Sequence, residues 1–298
     1  MMKVDDNPDL NYEYQSRWKN FLMAILEYPI IFWVILKKLI IGKKLKTNCL
    51  FVDGLCYTCR QIKENATNWR ALDIIYNYDN SKNKDKENFL TRFWMGNVFN
   101  VKAVRNRLKL IKDKLRNSIN DLVSEGKEVR TLSIACGSAQ GLIDIISEFN
   151  KKGIFIKALL VDLDPTAIEY AKNLSLKAGV INQIKFINAS AHDLEEVVGD
   201  FKPNIIEMVG FLEYRPKEKA INLIKRIYSI LEPGGTFFTS NVKNNIERPF
   251  LDYVIDWPMV YRTPKEFNDV LVEGGFPLDE CSIIYEPLKV HGVAICKR

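Results

Sequence analysis

The segment SIACGSAQG, residues 133–141, has the composition of a ligand-binding turn. It joins an apolar stretch, RTLSIA, to a helical one, GLIDIISEF. A turn that binds a dinucleotide needs Gly-x-Gly-x-x-Gly, so that the backbone can contact a pyrophosphate at a helix N-terminus. Only Gly137 and Gly141 are glycines here, and small side chains fill most other positions. The turn therefore favours a ligand without phosphates over a nicotinamide cofactor.

A second apolar stretch, IFIKALLVD, ends in Asp162. A carboxylate at the end of a strand can accept charge-assisted hydrogen bonds from both hydroxyls of a ribose. Asp164 is the competing acid, but it precedes Pro165 and is better explained as the N-cap of the next helix. Asp162 is therefore the predicted ribose-binding residue.

Short strands alternate with amphipathic helices from residue 130 onward, which predicts a parallel, doubly wound sheet. The last two strands, CSIIYE and KVHGVAIC, have no helix between them and should form a hairpin that makes one edge strand antiparallel. We predict an α/β fold with a mostly parallel seven-stranded sheet and an antiparallel C-terminal hairpin. Residues 128–298 would form this domain, and residues 1–127 a helical N-terminal extension that caps the pocket.

The turn 133–141, VDLDP, EPGG and the final hairpin resemble class I S-adenosyl-L-methionine-dependent methyltransferases, over roughly residues 128–298. That family commonly has an acid followed by Gly-x-Gly-x-Gly. This chain has Ser133 at the acid and Ala135, Gly137 and Ala139 at the three glycines. We expect both alanines to have negative φ. The resemblance implies an enzyme with S-adenosyl-L-methionine (SAM) as its cofactor.

The resemblance also implies a cofactor site. The segment NASAHD would lie under the adenine, and the acid that the family often has there is replaced by Ser190. Ser190, Ala191 or Asp193 is left to meet the adenine amino group. The predicted cofactor-binding residues are Ala135, Cys136, Gly137, Ser138, Gln140, Gly141, Asp162, Leu163, Ser190, Ala191 and Glu207.

The methyl acceptor in this family usually lies over the end of the fourth strand, which here is EMVGFLEYRP. Glu213 or Tyr214 is predicted to orient an amine or hydroxyl, and Arg215 to hold an acidic substrate. Each of these side chains can equally be structural.

Histidine and aromatic residues supply further candidates. His192 is a third predicted catalytic residue, because histidine titrates near neutral pH. His291 lies inside a closing strand and is expected to be a packing residue. Trp257 and Tyr261 are predicted to line the acceptor pocket, with plain packing as the alternative.

The most apolar segment runs from Phe21 to Ile41. The uncharged run after Glu27 is nine residues, too short to cross ~30 Å of hydrocarbon. Lysines follow at Lys37, Lys38, Lys43, Lys44 and Lys46. Two interpretations stay open: a helix lying in an anionic membrane surface, or a buried helix pair or lid over an apolar pocket, which we favour.

Helix 101–117 places Val101, Val104, Leu108, Ile111 and Leu115 on one face and seven basic residues around it. A solvated helix face is the favoured interpretation, so we expect no nucleic-acid partner. The charged stretch Asn77–Asn88 is predicted to be an exposed loop.

The remaining features limit the possible functions and the localisation. A net charge of +6, six cysteines and no signal peptide predict a cytoplasmic protein, with peripheral membrane contact left open. CYTC, with Cys56 and Cys59, lacks a fourth ligand, so no metal site is predicted. The aromatic extension favours a small-molecule acceptor, hydrophobic or lipid-like. The alternatives are an RNA or protein methyltransferase and a non-catalytic module that binds an adenosyl ligand.

Overall fold

A computed structural model describes residues 3–42, 48–78 and 88–298. Lys43, Lys44, Lys46 and residues 79–87 of the predicted loop lie outside the described residues. The strands are β1 (Lys3–Val4), β2 (Val129–Ile134), β3 (Ile156–Asp162), β4 (Ile184–Asn188), β5 (Ile205–Met208), β6 (Thr236–Val242), β7 (Cys281–Tyr285) and β8 (His291–Lys297).

These strands form one sheet of eight, in the order β1-β7-β8-β6-β5-β2-β3-β4. The seven predicted strands are all present. Four of their pairings are parallel, one is the terminal hairpin β7–β8, and the last, β6–β8, is antiparallel. The predicted fold class is confirmed. The eighth strand, β1, comes from the N-terminus and pairs in parallel with β7. Strand order reverses between β2 and β5, where such sheets bind ligands.

The predicted position of the antiparallel strand is wrong. β8 is antiparallel to both of its neighbours, β6 and β7, so it lies inside the sheet instead of at its edge. The last strand of the hairpin, β8, pairs with β6. The other hairpin strand, β7, pairs on its outer side with β1.

The helices are α1 (Arg17–Ile41), α2 (Tyr57–Glu64), α3 (Trp69–Asn77), α4 (Phe89–Asn97), α5 (Phe99–Ser124), α6 (Gln140–Lys151), α7 (Pro165–Lys177), α8 (Leu194–Val198), α9 (Lys217–Ile230), α10 (Arg248–Phe250) and α11 (Pro264–Glu273). Asp164 caps α7 as predicted, since its side chain accepts from the Thr166 amide. Thr263 and Glu266 form the predicted capping box of α11. Pro29 lies within α1 without ending it.

The three largest of the four apolar clusters among the described residues hold these layers together. One lies between the sheet and α5, α6 and α7, and a second lies between the opposite sheet face and α8, α9 and α11. The third is formed by α1–α5 and the segment 250–257, beyond the carboxyl ends of the strands. This third core places the N-terminal helices beside the end of the sheet that is expected to bind ligands.

The expected solvated face of helix 101–117 is wrong. α5 contacts α3 and α4 on one side and α6 and β8 on another, and Lys102, Arg105 and Arg107 are buried. Each of its seven basic residues binds a partner within the chain. The pairs are Lys102–Tyr14, Arg105–Glu13, Arg107–Glu213, Lys109–Asn11, Lys112–Asp144, Lys114–Asp5 and Arg116–Glu148. The charges therefore attach α5 to its surroundings.

The ligand-binding turn also departs from expectation. Ala135 and Ala139 both have φ of 50°, and Gly137 has φ of 55°, so the expected negative φ of the alanines is wrong. A left-handed backbone costs a residue with a Cβ roughly 1–2 kcal/mol. The turn therefore stores strain at two alanines.

We predict that Ala135→Gly raises the free energy of unfolding by about 0.5–1 kcal/mol, because relief of the left-handed strain exceeds the entropy that glycine adds to the unfolded chain. Chemical denaturation measures this. The control Ala171→Gly, in the middle of α7, should lower the same free energy by about 1 kcal/mol or more. Equal destabilisation by both changes would contradict the prediction.

Candidate active site

A cleft of about 760 Å³ lies at the carboxyl ends of β2, β3 and β5. Its wall includes most of the predicted cofactor residues, which are Ala135, Cys136, Gly137, Ser138, Gln140, Gly141, Asp162, Leu163 and Glu207. Tyr214 and Arg215 line the same cleft. Ser190, Ala191 and His192 line an adjoining cavity of about 130 Å³ that shares Ala135, Asp162 and Leu163 with the cleft. The structure thus brings the predicted cofactor residues to one place.

Asp162 holds the ligand-binding turn against the end of β3. One carboxylate oxygen accepts from the Gly137 amide at 2.8 Å, and the other accepts from the Asp164 amide at 2.9 Å. Burial raises the pKa of Asp162, while these backbone N–H groups lower it. Each oxygen has a further lone pair, so the carboxylate can fix the turn and also accept from a ligand.

Glu207 places a carboxyl group beside Ser133. Ser133 and Glu207 are register partners on β2 and β5, and the Ser133 hydroxyl donates to Glu207 Oε1 at 2.6 Å. Burial raises the pKa of Glu207, and the serine hydrogen bond opposes that shift. Glu207 also lines the cleft, so a carboxyl group borders the cleft next to Ser133.

Helix α3 covers the cleft from the N-terminal side, and the sequence analysis missed this role. A Cβ on Gly137 would lie 3.0 Å from Trp69 Cβ, and the φ of 55° also disfavours a side chain, so glycine suits this position beneath α3 best. Trp69 Nε1 donates to Asp164 at 3.1 Å, and the Tyr170 hydroxyl donates to Asp73 at 2.9 Å. Both polar contacts connect α3 to α7, one at its N-cap and one at Tyr170. No sequence motif predicts these contacts of α3.

A small apolar cavity of about 60 Å³ lies next to the cleft, within the third core. The side chains of Leu72 and Tyr214 line both spaces and form the wall between them. The rest of the lining is mostly apolar and includes Val52, Trp94, Met95, Val104, Phe250 and Leu251. This cavity can hold a hydrophobic group close to the cofactor cleft.

Arg107, Glu213 and His291 are among the buried polar side chains that line this apolar cavity. Arg107, only 1% exposed, donates to Glu213 Oε1 at 3.1 Å and to the Tyr76 hydroxyl at 2.7 Å. Arg107 Nε, Glu213 Oε2 and His291 Nδ1 have no hydrogen-bond partner among the described residues. Buried polar atoms of this kind are costly unless a ligand satisfies them.

The protonation of these groups follows from burial. Desolvation raises the pKa of Glu213, and the adjacent Arg107 charge opposes the rise. Desolvation and Arg107 together hold the pKa of His291 well below its usual value, so this imidazole is neutral at physiological pH. The cavity therefore offers a carboxyl oxygen, guanidinium donors and a neutral imidazole.

The predicted acceptor residues do not all lie together. Glu213, Tyr214 and Trp257 line the cavity, and Trp257 Nε1 donates to the Tyr214 hydroxyl at 2.7 Å. Arg215 stays in the cleft, with its guanidinium 4.1 Å from the centre of the Phe211 ring.

Three of the aromatic and histidine assignments need correction. His192 is exposed in the loop after β4 and lines the outer cavities, away from the apolar one. Tyr261 packs against Arg248, 4.6 Å from its ring centre, and lines none of these spaces. His291, expected to be a packing residue, is buried but also lines the apolar cavity, because its position on β8 points toward α5.

Residues 3–42, 48–78 and 88–298 contain neither a metal-binding cluster nor a membrane-spanning helix. No group of three histidine, cysteine or acidic side chains there is arranged to hold a metal ion. Cys56 caps α2, with its Sγ 2.8 Å from Cys59 Sγ. None of the helices in this part of the chain has the length and apolarity needed to cross a membrane.

Solved structures share this fold. A possible exported protein from Bordetella parapertussis is 14% identical, with 92% of this chain and 96% of that chain covered and a TM-score of 0.66. Magnesium protoporphyrin IX methyltransferase from Synechocystis PCC 6803, solved with bound SAH, is 14% identical. The match covers 76% of this chain and 99% of that chain, with a TM-score of 0.52. At these identities the likeness concerns the fold alone.

Sequence comparison gives the family. No curated protein sequence matches the chain. A family model described as "Putative methyltransferase" matches residues 41–284, which include helices α2–α5 and strands β2–β6. Because this match covers most of the sequence, the chain belongs to that methyltransferase family.

Proposed function

We propose that this protein is a SAM-dependent methyltransferase whose acceptor is a small hydrophobic molecule. The observation that carries the proposal is the shared wall between two spaces, a polar cleft and an apolar cavity separated by Leu72 and Tyr214. A methyl transfer needs its donor and acceptor in line and in contact. Two adjoining sites of opposite polarity suit a polar donor and an apolar acceptor.

The residues of the cleft fit SAM. The turn 135–141 brings its backbone close to a ligand without a phosphate-binding glycine pattern, and Asp162 is placed to accept from the ribose hydroxyls. Glu207 is placed to accept from the amino group of the methionine part, the role for which the turn lacks an acid. Bound SAM supplies an electrophilic methyl group on a sulfonium sulfur.

The cavity residues would orient the acceptor. Its hydrophobic part would replace empty space among Val104, Trp94 and Leu251, and its nucleophilic O–H or N–H would donate to the unpaired Glu213 Oε2. When the new bond to the methyl carbon forms and the carbon–sulfur bond breaks, the nucleophile's proton passes to Glu213. Arg107 would hold Glu213 in position through their 3.1 Å contact.

The alternatives have less support. An RNA or protein methyltransferase that uses helix 101–117 would need free basic groups there, and those residues are bound inside the chain. A non-catalytic adenosyl-binding module was suggested by the missing acid at Ser133, and Glu207 provides a carboxyl group beside that position. The unpaired groups in the adjoining cavity also favour an enzyme.

We predict that Asp162→Asn lowers the affinity for SAM and for S-adenosylhomocysteine by the same factor, about tenfold or more, because both ligands lose charge-assisted bonds to the ribose. Titration calorimetry measures both constants. Asp144→Asn, an exposed acid on α6, is the control and should change neither. Unchanged affinity in Asp162→Asn would mean that the ribose binds elsewhere.

Glu207→Gln should separate the two ends of the cofactor. We expect it to weaken SAM and S-adenosylhomocysteine by about tenfold, because a carboxylate partner of the amino group is lost. It should leave 5′-methylthioadenosine unaffected, since that compound has no amino acid part. An equal loss for all three ligands would show that Glu207 supports the turn as a whole and does not bind the methionine end.

Glu213→Gln tests the acceptor side. We expect SAM affinity to stay within twofold (~0.4 kcal/mol) of the original, while methyl transfer falls by about 10² or more. The assay follows labelled methyl from SAM into apolar products of a cell extract from which the protein has been removed. Tyr261→Phe, a tyrosine outside both spaces, is the matched control and should keep full activity.

Three outcomes decide between the functions. Transfer into apolar products that Glu213→Gln abolishes supports the proposal. Labelled RNA or protein in place of apolar products would support the first alternative. SAM binding without transfer to any fraction of the extract would support the non-catalytic module.

A further inference from the structure

Helix α1 has an apolar face that no other described part of the chain covers. Eleven large apolar side chains on α1 are between 43% and 77% exposed, which are Trp18, Phe21, Leu22, Ile25, Leu26, Tyr28, Phe32, Trp33, Leu39, Ile40 and Ile41. The opposite face packs on the third core through Met23, Ile31 and Val34. Exposed apolar patches of this extent mark interaction sites in water-soluble domains.

A second exposed apolar segment lies beside the end of α1. It contains Leu50, Phe51, Leu55 and Tyr57, each more than half exposed. Both segments are tied to the same residue, because Lys38 of α1 and Lys63 of α2 each form an ion pair with Asp256. We call these four residues and the eleven of α1 the docking face.

A single segment of the chain separates the docking face from the apolar cavity. Within the segment Leu50–Gly54, Leu50 and Phe51 point to solvent while Val52 is buried and lines the cavity. A partner bound to the docking face would therefore lie one side-chain layer away from a hydrophobic acceptor.

The charges on α1 indicate which kind of partner would bind the docking face. Arg17 and Lys19 lie at its start and Lys37 and Lys38 at its end, with the apolar face between them. The only acid in the helix, Glu27, is 2% exposed, and burial, reinforced by Glu247, raises its pKa to about 9, so it is neutral at pH 7. The helix therefore carries positive charge at both ends and no ionised acid of its own, while Asp256 offsets the charge of Lys38.

An anionic bilayer fits this pattern better than a second copy of the chain does. Lysine and arginine at the edges of an apolar, tryptophan-containing face suit a helix in the headgroup region of anionic lipids. A symmetric dimer through the same face would bring its basic ends toward basic ends. The helix does not qualify as a membrane span, so its orientation would be in the membrane plane.

We propose that the docking face binds the surface of an anionic phospholipid bilayer, with α1 lying parallel to the membrane plane at the level of the headgroups. The interaction places the acceptor cavity next to the bilayer. That consequence rests on the proposed function, whereas the binding itself does not.

The test is co-sedimentation of the full chain with vesicles, without cofactor or acceptor. We expect binding to vesicles of phosphatidylcholine with phosphatidylserine to be about tenfold or more tighter than to phosphatidylcholine alone, because each basic residue near the surface adds to the attraction. High salt should reduce that difference. Tryptophan emission should shift to shorter wavelength on binding, since Trp18 and Trp33 leave water.

Variants assign the binding to this face. Trp18→Ser with Phe32→Ser should reduce binding to background without changing the thermal unfolding temperature, because both side chains are exposed. The matched control, Phe155→Ser with Leu278→Ser, removes exposed apolar side chains elsewhere and should bind like the original chain.

Three results would overturn the proposal. The original chain fails to bind either kind of vesicle, or the Trp18/Phe32 variant binds as tightly as the original chain. In the third, the original chain is a dimer that ignores vesicles and the variant is a monomer, which would assign the face to a second copy. Because no cofactor is present, none of these results depends on methyl transfer.

Discussion

A single buried guanidinium connects the parts of this molecule that matter for its chemistry. Arg107 extends from α5 and binds both Glu213, just beyond β5, and Tyr76 on α3. Removing one partner of such a buried pair leaves an uncompensated charge, which commonly costs 3–5 kcal/mol. The end of the sheet, the helix over the cleft and the acceptor cavity are therefore positioned relative to one another by one side chain.

This connection explains why the N-terminal helices are part of the site. Helix α3 contacts the turn at Gly137 through Trp69 and separates the cleft from the cavity through Leu72. The family match begins at residue 41 and so includes these helices. We infer that the cofactor half and the acceptor half act as one unit.

Sequence reasoning predicted the regular parts of the structure well. Strand alternation, the N-cap at Asp164 and the gathering of the turn with Asp162 depend on local patterns, which a sequence displays directly. Sequence reasoning failed for features that depend on contacts between residues far apart in the sequence. The φ angles of Ala135 and Ala139 are imposed by the fold, and the charges of α5 are neutralised by residues far along the chain.

The same distinction applies to the two histidines. His192 follows a strand end and is one of three predicted catalytic residues, yet its loop is exposed. His291 faces the cavity because β8 is inserted into the sheet next to β6 and beneath α5, a placement that the order of strands along the chain does not reveal. The most direct measurement of the central claim is a crystal structure with S-adenosylhomocysteine. We predict the ribose at Asp162, the amino group at Glu207 and the sulfur facing Tyr214; a ligand bound outside this cleft would contradict the account.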